Sequence, residues 1–242
     1  MTFHVVVINP SVTSFPCSFR AQGGKKKEEF SSLSHLPTPM SYLSYQTIGL
    51  MSDTSPPLPV TQKAIIQGNG SEIVISENVA LPQLEPDQVL VKTVAVALNP
   101  TDHKTHSNFP SPGAIMGCDF AGRVVAVGTK VVNLRIGDQV CGAVHGSNLI
   151  DHETGAFAEY VRATGNFLLK IPSYMSFEKA AALGGIGYMT VGRVLWGSFD
   201  LPGTPENPTK KPIYILVYGG STSTGTMAIQ LLRLFVSSLL RS

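Results

Sequence analysis

Between the strand-like run IYILVY (213–218) and the helical run TMAIQLLRL (226–234) lies GGSTSTG, residues Gly219 to Gly225. A strand, a glycine-rich turn and a helix in this order leave free backbone N–H groups at the positive end of a helix dipole, where a pyrophosphate is well held. The usual dinucleotide fingerprint has glycines at three places, and hydroxyl residues stand here at the middle one. Ser221, Thr222, Ser223 and Thr224 fill that stretch, and the Thr222 and Ser223 hydroxyls could donate to phosphate. A turn that only joins strand to helix fits the same residues, and the loop alone leaves both readings open.

A second polar group is ALNPTDHK, Ala97 to Lys104, at the end of an apolar strand-like run. Lys104 could stabilise an anion there, or stand in solvent as a loop lysine. His103 and His106 have no third ligand at metal spacing and are expected to be loop histidines. Cys17, Cys118 and Cys141 are odd in number with no C-x-x-C pair, so neither a disulfide framework nor a structural zinc site is expected. Cys118, beside Asp119, is expected to be a small buried residue in a turn rather than a metal ligand.

These residues need a scaffold, and 242 residues with 43% apolar content suffice for one. A formal charge of +2 and the lack of a basic face argue against a nucleic-acid partner. No signal peptide is read at the start. Apolar runs are short or broken by Lys92 and Arg233, so a cytoplasmic protein without membrane spans is expected.

Residues 1–60 are rich in Ser, Pro and Gly around a KKKEE cluster and are expected to be a disordered extension, with Met51 as an alternative start. Residues 61–175 carry short strand-like runs (KAIIQ, EIVIS, QVLVKTVAVAL, AGRVVAVGTKV, DQVCGAV, AFAEYVRA, LLKIP) separated by turns, as in a β domain. Residues 176–212 read as a connector helix capped by Ser176, followed by the linker DLPGTPENPTKKP. Residues 213–242 then begin a second domain with one strand and one helix. The edge of that strand is expected to find no neighbour from its own chain, and its apolar faces to stay wet.

Taken in order, ALNPTDHK, GCDFAGRVVAVG, IGDQVCG, GAFAEYV, KIP and GGIGYMTVG, ending at YGGSTSTG, resemble the medium-chain dehydrogenase/reductase superfamily from about Val60 to Leu234. The resemblance implies a mixed α/β fold, a GroES-like β domain followed by the beginning of a Rossmann dinucleotide-binding domain. Zinc alcohol dehydrogenases of that superfamily place a cysteine and a histidine where Asn99 and Cys118 stand, so no catalytic zinc is expected. Among zinc-free branches, NPTDHK, GGIGYMTVG and YGGSTSTG are most similar to fungal trans-acting enoyl reductases of polyketide biosynthesis.

That resemblance implies NADPH as cofactor, a polyketide synthase acyl carrier protein as partner, and reduction of an enoyl thioester tethered to it. Hydride would reach the β-carbon while charge builds on the thioester oxygen, and a proton would then reach the α-carbon, so orientation and oxyanion stabilisation matter more than side-chain acid–base chemistry. It implies catalytic roles for Lys104 and Thr190. Cofactor contacts would come from Asn99, Thr101, Asp102 and Lys104, and from Gly219, Gly220, Ser221, Thr222, Ser223 and Thr224. Val191, Gly192 and Leu195 would line an acyl-chain pocket. From the residues alone, Thr190 could equally be a helix threonine bonded to its own turn. A non-catalytic remnant or synthase-binding module, and a zinc-independent quinone oxidoreductase, stand as alternatives.

Overall fold

The computed structural model describes residues 4–8, 57–70, 72–210 and 213–235. Two strands of alternating apolar residues open the domain: β2, Thr61–Gln67, and β3, Ile73–Ala80, form an antiparallel hairpin. Its turn contains Gly70 at φ +66, a conformation that costs a glycine nothing. A register shift between Gln62 and Ala64 bends the hairpin, and bridges from Ala64 to Ala158 and Ile66 to Ile115 dock it on the rest.

Five further strands make an antiparallel sheet in the order β7-β4-β5-β6-β8. They are β4, Gln88–Ala97, β5, Asp119–Val127, β6, Gln139–Ala143, β7, Tyr160–Thr164, and β8, Leu169–Lys170. Each coincides with a strand-like run in the sequence. Val89, Val91, Phe120, Val124, Val140 and Val161 are at most 1% exposed and form the centre of the core. Burying side chains of this size contributes about 1.5–3 kcal/mol each. The outer half of β4 alternates instead, with Ala95 and Ala97 packed toward a second cluster that includes Ala121, Cys141, Ala180 and Ala181.

Helix α1, Pro100–Asn108, leaves β4 directly. This corrects the expectation of a loop for Lys104, His103 and His106: all three are helical. His106 is buried, while Lys104 and His103 are exposed. Helix α2, Phe177–Leu183, starts where expected, with the Ser176 hydroxyl accepting the Lys179 N–H at 3.4 Å. Gly184 at φ +55 ends it, and α3, Ile186–Gly192, runs on into a π-helical turn, Arg193–Ser198.

β9, Tyr214–Tyr218, leads through the glycine-rich loop into α4, Ser223–Phe235. Ala228 and Leu232 of α4 pack on Val191 and Leu195, with Ile215 and Val217 of β9 closing the cluster. One edge of β9 is paired. β1, His4–Ile8, runs antiparallel to it with His4 opposite Tyr218 and Ile8 opposite Tyr214. The expectation that this strand lacks a neighbour from its own chain is therefore corrected: an extended VVVI run more than 200 residues upstream satisfies that edge. His4–Ile8 and the residues from Pro59 onward belong to one unit. The rest of the expected disordered extension lies outside the described residues, apart from residues 57–60.

Candidate active site

Asn99 precedes α1 in extended conformation (φ −123, ψ 150), with Pro100 at the first helical position, where a missing N–H costs nothing. The Asp102 carboxylate reaches back to accept the Asn99 backbone N–H at 2.7 Å, one half of a capping box. The Asn99 side-chain Nδ2 donates to Asp119 Oδ2 at 2.9 Å.

Asp119, the first residue of β5, is 3% exposed. Its other oxygen accepts the backbone N–H groups of Gly185 at 3.2 Å and Ile186 at 3.0 Å. One carboxylate thus ties the start of α1 and the start of α3 to the central sheet. Burial raises its pKa, with the neighbouring Asp102 charge adding to the effect, while the Ile186, Asn99 and Gly185 donors oppose it. No local sequence pattern marks this role for Asp119, because its donors lie up to 67 residues away.

The glycines at 184 and 185 are dictated by this junction. A Cβ on Gly184 would strike the Asp119 carboxylate, and one on Gly185 would strike Ala143. Further along α3, a Cβ on Gly187 would stand 2.8 Å from Met227 Sδ and 3.9 Å from Ser223 Oγ, so this helix also abuts α4 and the glycine-rich loop.

A cleft of about 390 Å³ lies beside the junction, and its lining includes Thr101, Cys118, Ala143, His145, Ile186 and Met189. A larger open groove of about 430 Å³ between the hairpin and β4 is lined by Ile65, Ile75, Val96, Leu98 and Phe157 among others, and holds none of the expected site residues. The smaller cleft is the candidate site. Burial, then the nearby Asp102 and Asp119 charges, push the Cys118 thiol up to about 12 against one opposing bond from the Gly146 N–H. Such a thiol stays protonated at neutral pH and is inert as a nucleophile. Among the described residues, no three His, Cys, Asp or Glu side chains are grouped to hold a metal ion. No helix there is long and apolar enough to cross a membrane.

The other expected site residues divide. Thr190, one position beyond Met189, is exposed; its carbonyl accepts the Arg193 N–H, and its hydroxyl has no partner among the described residues. Val191 and Leu195, expected to line an acyl-chain pocket, are 0% exposed and pack against Ala228 and Leu232 of α4. Gly192 is half-buried beside Trp196.

In the loop, Gly219 takes φ +85, and a Cβ on Gly225 would strike the Gly219 carbonyl and stand 2.9 Å from Gly220 Cα. The helix therefore meets the strand as closely as a dinucleotide-binding turn requires. Thr222 is committed to that turn. Its hydroxyl donates to the Gly219 carbonyl at 2.8 Å and accepts the Gly225 N–H at 3.1 Å, so it caps α4 rather than standing free for phosphate. The Ser223 and Thr224 N–H groups at the helix start have no acceptor among the described residues. The loop thus fits a pyrophosphate through backbone N–H groups and Ser223, with Thr222 as its internal brace.

The five-stranded sheet, the hairpin and the strand–turn–helix define a GroES-like domain joined to the start of a Rossmann-like unit. Residues 85–173 match the alcohol dehydrogenase GroES-like domain family. The chain is 56% identical over 181 residues to a trans-enoyl reductase of Aspergillus clavatus, covering 73% of this chain and 50% of that protein. It is 51% identical over 185 residues to one of Aspergillus flavipes, covering 74% and 50%. Among solved structures it resembles an alcohol dehydrogenase superfamily protein from Novosphingobium aromaticivorans (28% identity, TM-score 0.59, covering 73% of this chain and 51% of that one). It also resembles the quinone oxidoreductase from Coxiella burnetii (26%, TM-score 0.50, covering 72% and 54%). The chain is a homologue of fungal trans-enoyl reductases, and its structural neighbours lie in the medium-chain dehydrogenase/reductase superfamily. It spans about half the length of the curated relatives it matches.

Proposed function

We propose that this chain carries the catalytic β domain and phosphate loop of an NADPH-dependent trans-acting enoyl reductase. Its substrate would be an α,β-unsaturated thioester on the acyl carrier protein of a polyketide synthase. The observation that carries this reading is the identity of 46–56% to proteins named as enoyl reductases, over 73% of the chain. The geometry supports it. Loop N–H groups at Ser223 and Thr224 suit the pyrophosphate, and α3 runs from beside that loop to the cleft at Thr101, Ile186 and Met189.

When bound, NADPH supplies the hydride. The chain's own residues would then hold the nicotinamide end and the thioester together, and with the α-carbon taking its proton from solvent the task calls for fixed walls more than a side-chain proton shuttle. Thr101 and Asp102 stand at the start of α1, and Lys104, exposed one turn on, is the cation available to a developing enolate or to the cofactor. Thr190 faces solvent with its hydroxyl uncommitted and is the second candidate contact.

The likeness to the Coxiella burnetii quinone oxidoreductase favours a second reading, a zinc-independent quinone reductase. Mixing the chain with NADPH and either an enoyl-pantetheine thioester or a small quinone separates the two. Oxidation of NADPH by the thioester alone supports the enoyl reductase, and oxidation by the quinone alone supports the second. No oxidation and no NADPH binding would favour a non-catalytic, synthase-binding role.

A further inference from the structure

We propose that Asp119 is a positioning residue: its carboxylate anchors the first turn of α3 against α1 and thereby sets the width of the cleft that receives the nicotinamide end of the cofactor. The inference rests on the cofactor reading above for its ligand, and on the bonds around Asp119 for its geometry.

Three features carry it. The carboxylate is 3% exposed and faces no cation among the described residues, yet it accepts from Asn99 Nδ2, Gly185 N–H and Ile186 N–H. A buried carboxylate without a counter-charge is costly unless its donors are held in place, so these three bonds constrain both helices they come from. Next, Gly184 takes φ +55 with its α-carbon against that carboxylate, and Gly185 lies against Ala143. The chain is shaped around the anchor on both sides. Finally, the anchored turn carries Ile186 and Met189 into the cleft facing Thr101, while Gly187 on the same helix abuts Met227 of α4. Moving the start of α3 therefore moves one cleft wall directly, whereas the glycine-rich loop is held by its own bonds between Gly219, Thr222 and Gly225.

The test compares two probes on the purified chain and its Asp119→Ala variant: NADPH, and 2′-phospho-ADP-ribose, which has the same phosphates and no nicotinamide. The variant should stay folded, lose amide-exchange protection at Gly185 and Ile186, and bind NADPH about tenfold more weakly while binding 2′-phospho-ADP-ribose unchanged. Unchanged NADPH affinity, or equal losses for both probes, overturns the proposal, because a general loss of stability would weaken both. Should Asp119→Ala fail to fold, Asp119→Asn preserves volume and one acceptor oxygen and is read by the same comparison. A wild-type chain that binds neither probe overturns the cofactor reading and, with it, the cleft-width claim. The anchor is then judged by exchange alone, and unaltered protection at Gly185 and Ile186 in the variant overturns it.

Discussion

Asn99 Nδ2 donates to Asp119 Oδ2 at 2.9 Å, joining the residue that precedes α1 to the first residue of β5. The bond removes one open valence from a buried carboxylate. Asn99→Ala leaves that oxygen without its donor and should lower unfolding stability by about 1–3 kcal/mol. Urea denaturation should show a lower midpoint with an unchanged slope. An unchanged midpoint would mean that another group takes the vacated position.

The Cys118 thiol, held up at about 12 by burial and two neighbouring carboxylates, should be protonated throughout the range in which the protein is handled. Since only the thiolate is alkylated, native Cys118 should resist iodoacetamide at pH 8 and react once the chain is unfolded in urea, where the ordinary thiol value of about 8.5 returns. The sign is fixed: a raised value means less thiolate and slower labelling. Rapid native modification at Cys118, located by peptide mapping, would contradict the burial described for it.

Gly225 and Gly220 should differ sharply although both lie in one loop. An alanine Cβ at 220 meets only the flexible end of Ile229, at 3.2 Å, whereas at 225 it strikes the Gly219 backbone. Gly225→Ala should lower Tm clearly and weaken NADPH binding. Gly220→Ala should shift Tm little. The ordering is read by thermal melts of both variants, and equal melts would contradict the close strand–helix approach.

Lys104 is exposed and forms no ion pair among the described residues, so Lys104→Ala should leave stability within about 0.5 kcal/mol. Its effect should appear in turnover with an enoyl thioester, as a fall in kcat larger than the change in NADPH affinity. The reverse pattern would make it a cofactor clamp.

The strands of the β domain were readable from sequence because most lie in short β-branched runs set off by turn residues, as QVLVKTVAVA and DFAGRVVAV do, whereas β1 falls in the stretch expected to be disordered. Helix α1 was not. PTDHKTHSN has no apolar residue to mark a buried face, so the 3.6-residue period is silent. The signal present was local: Asn99 before Pro100 with Asp102 three residues on, a cap that could have been recognised. The same holds for Thr222, whose place just before Ser223 and three ahead of Gly225 is a helix cap first and a phosphate contact second. Asp119, Val191 and Leu195 depend on what folds against them, and no spacing within the chain displays that. Pairing of β1 with β9 is the extreme case, since any extended VVVI run could have served.

Cofactor binding by the loop is measured by titrating the purified chain with NADPH, followed by nicotinamide fluorescence and repeated on Gly225→Val. Saturable binding by the chain is expected, and its loss in the variant, because a side chain at 225 forces the loop away from the strand that shapes it. Absence of saturable binding by the unaltered chain, or equal binding by Gly225→Val, would contradict cofactor binding by the loop.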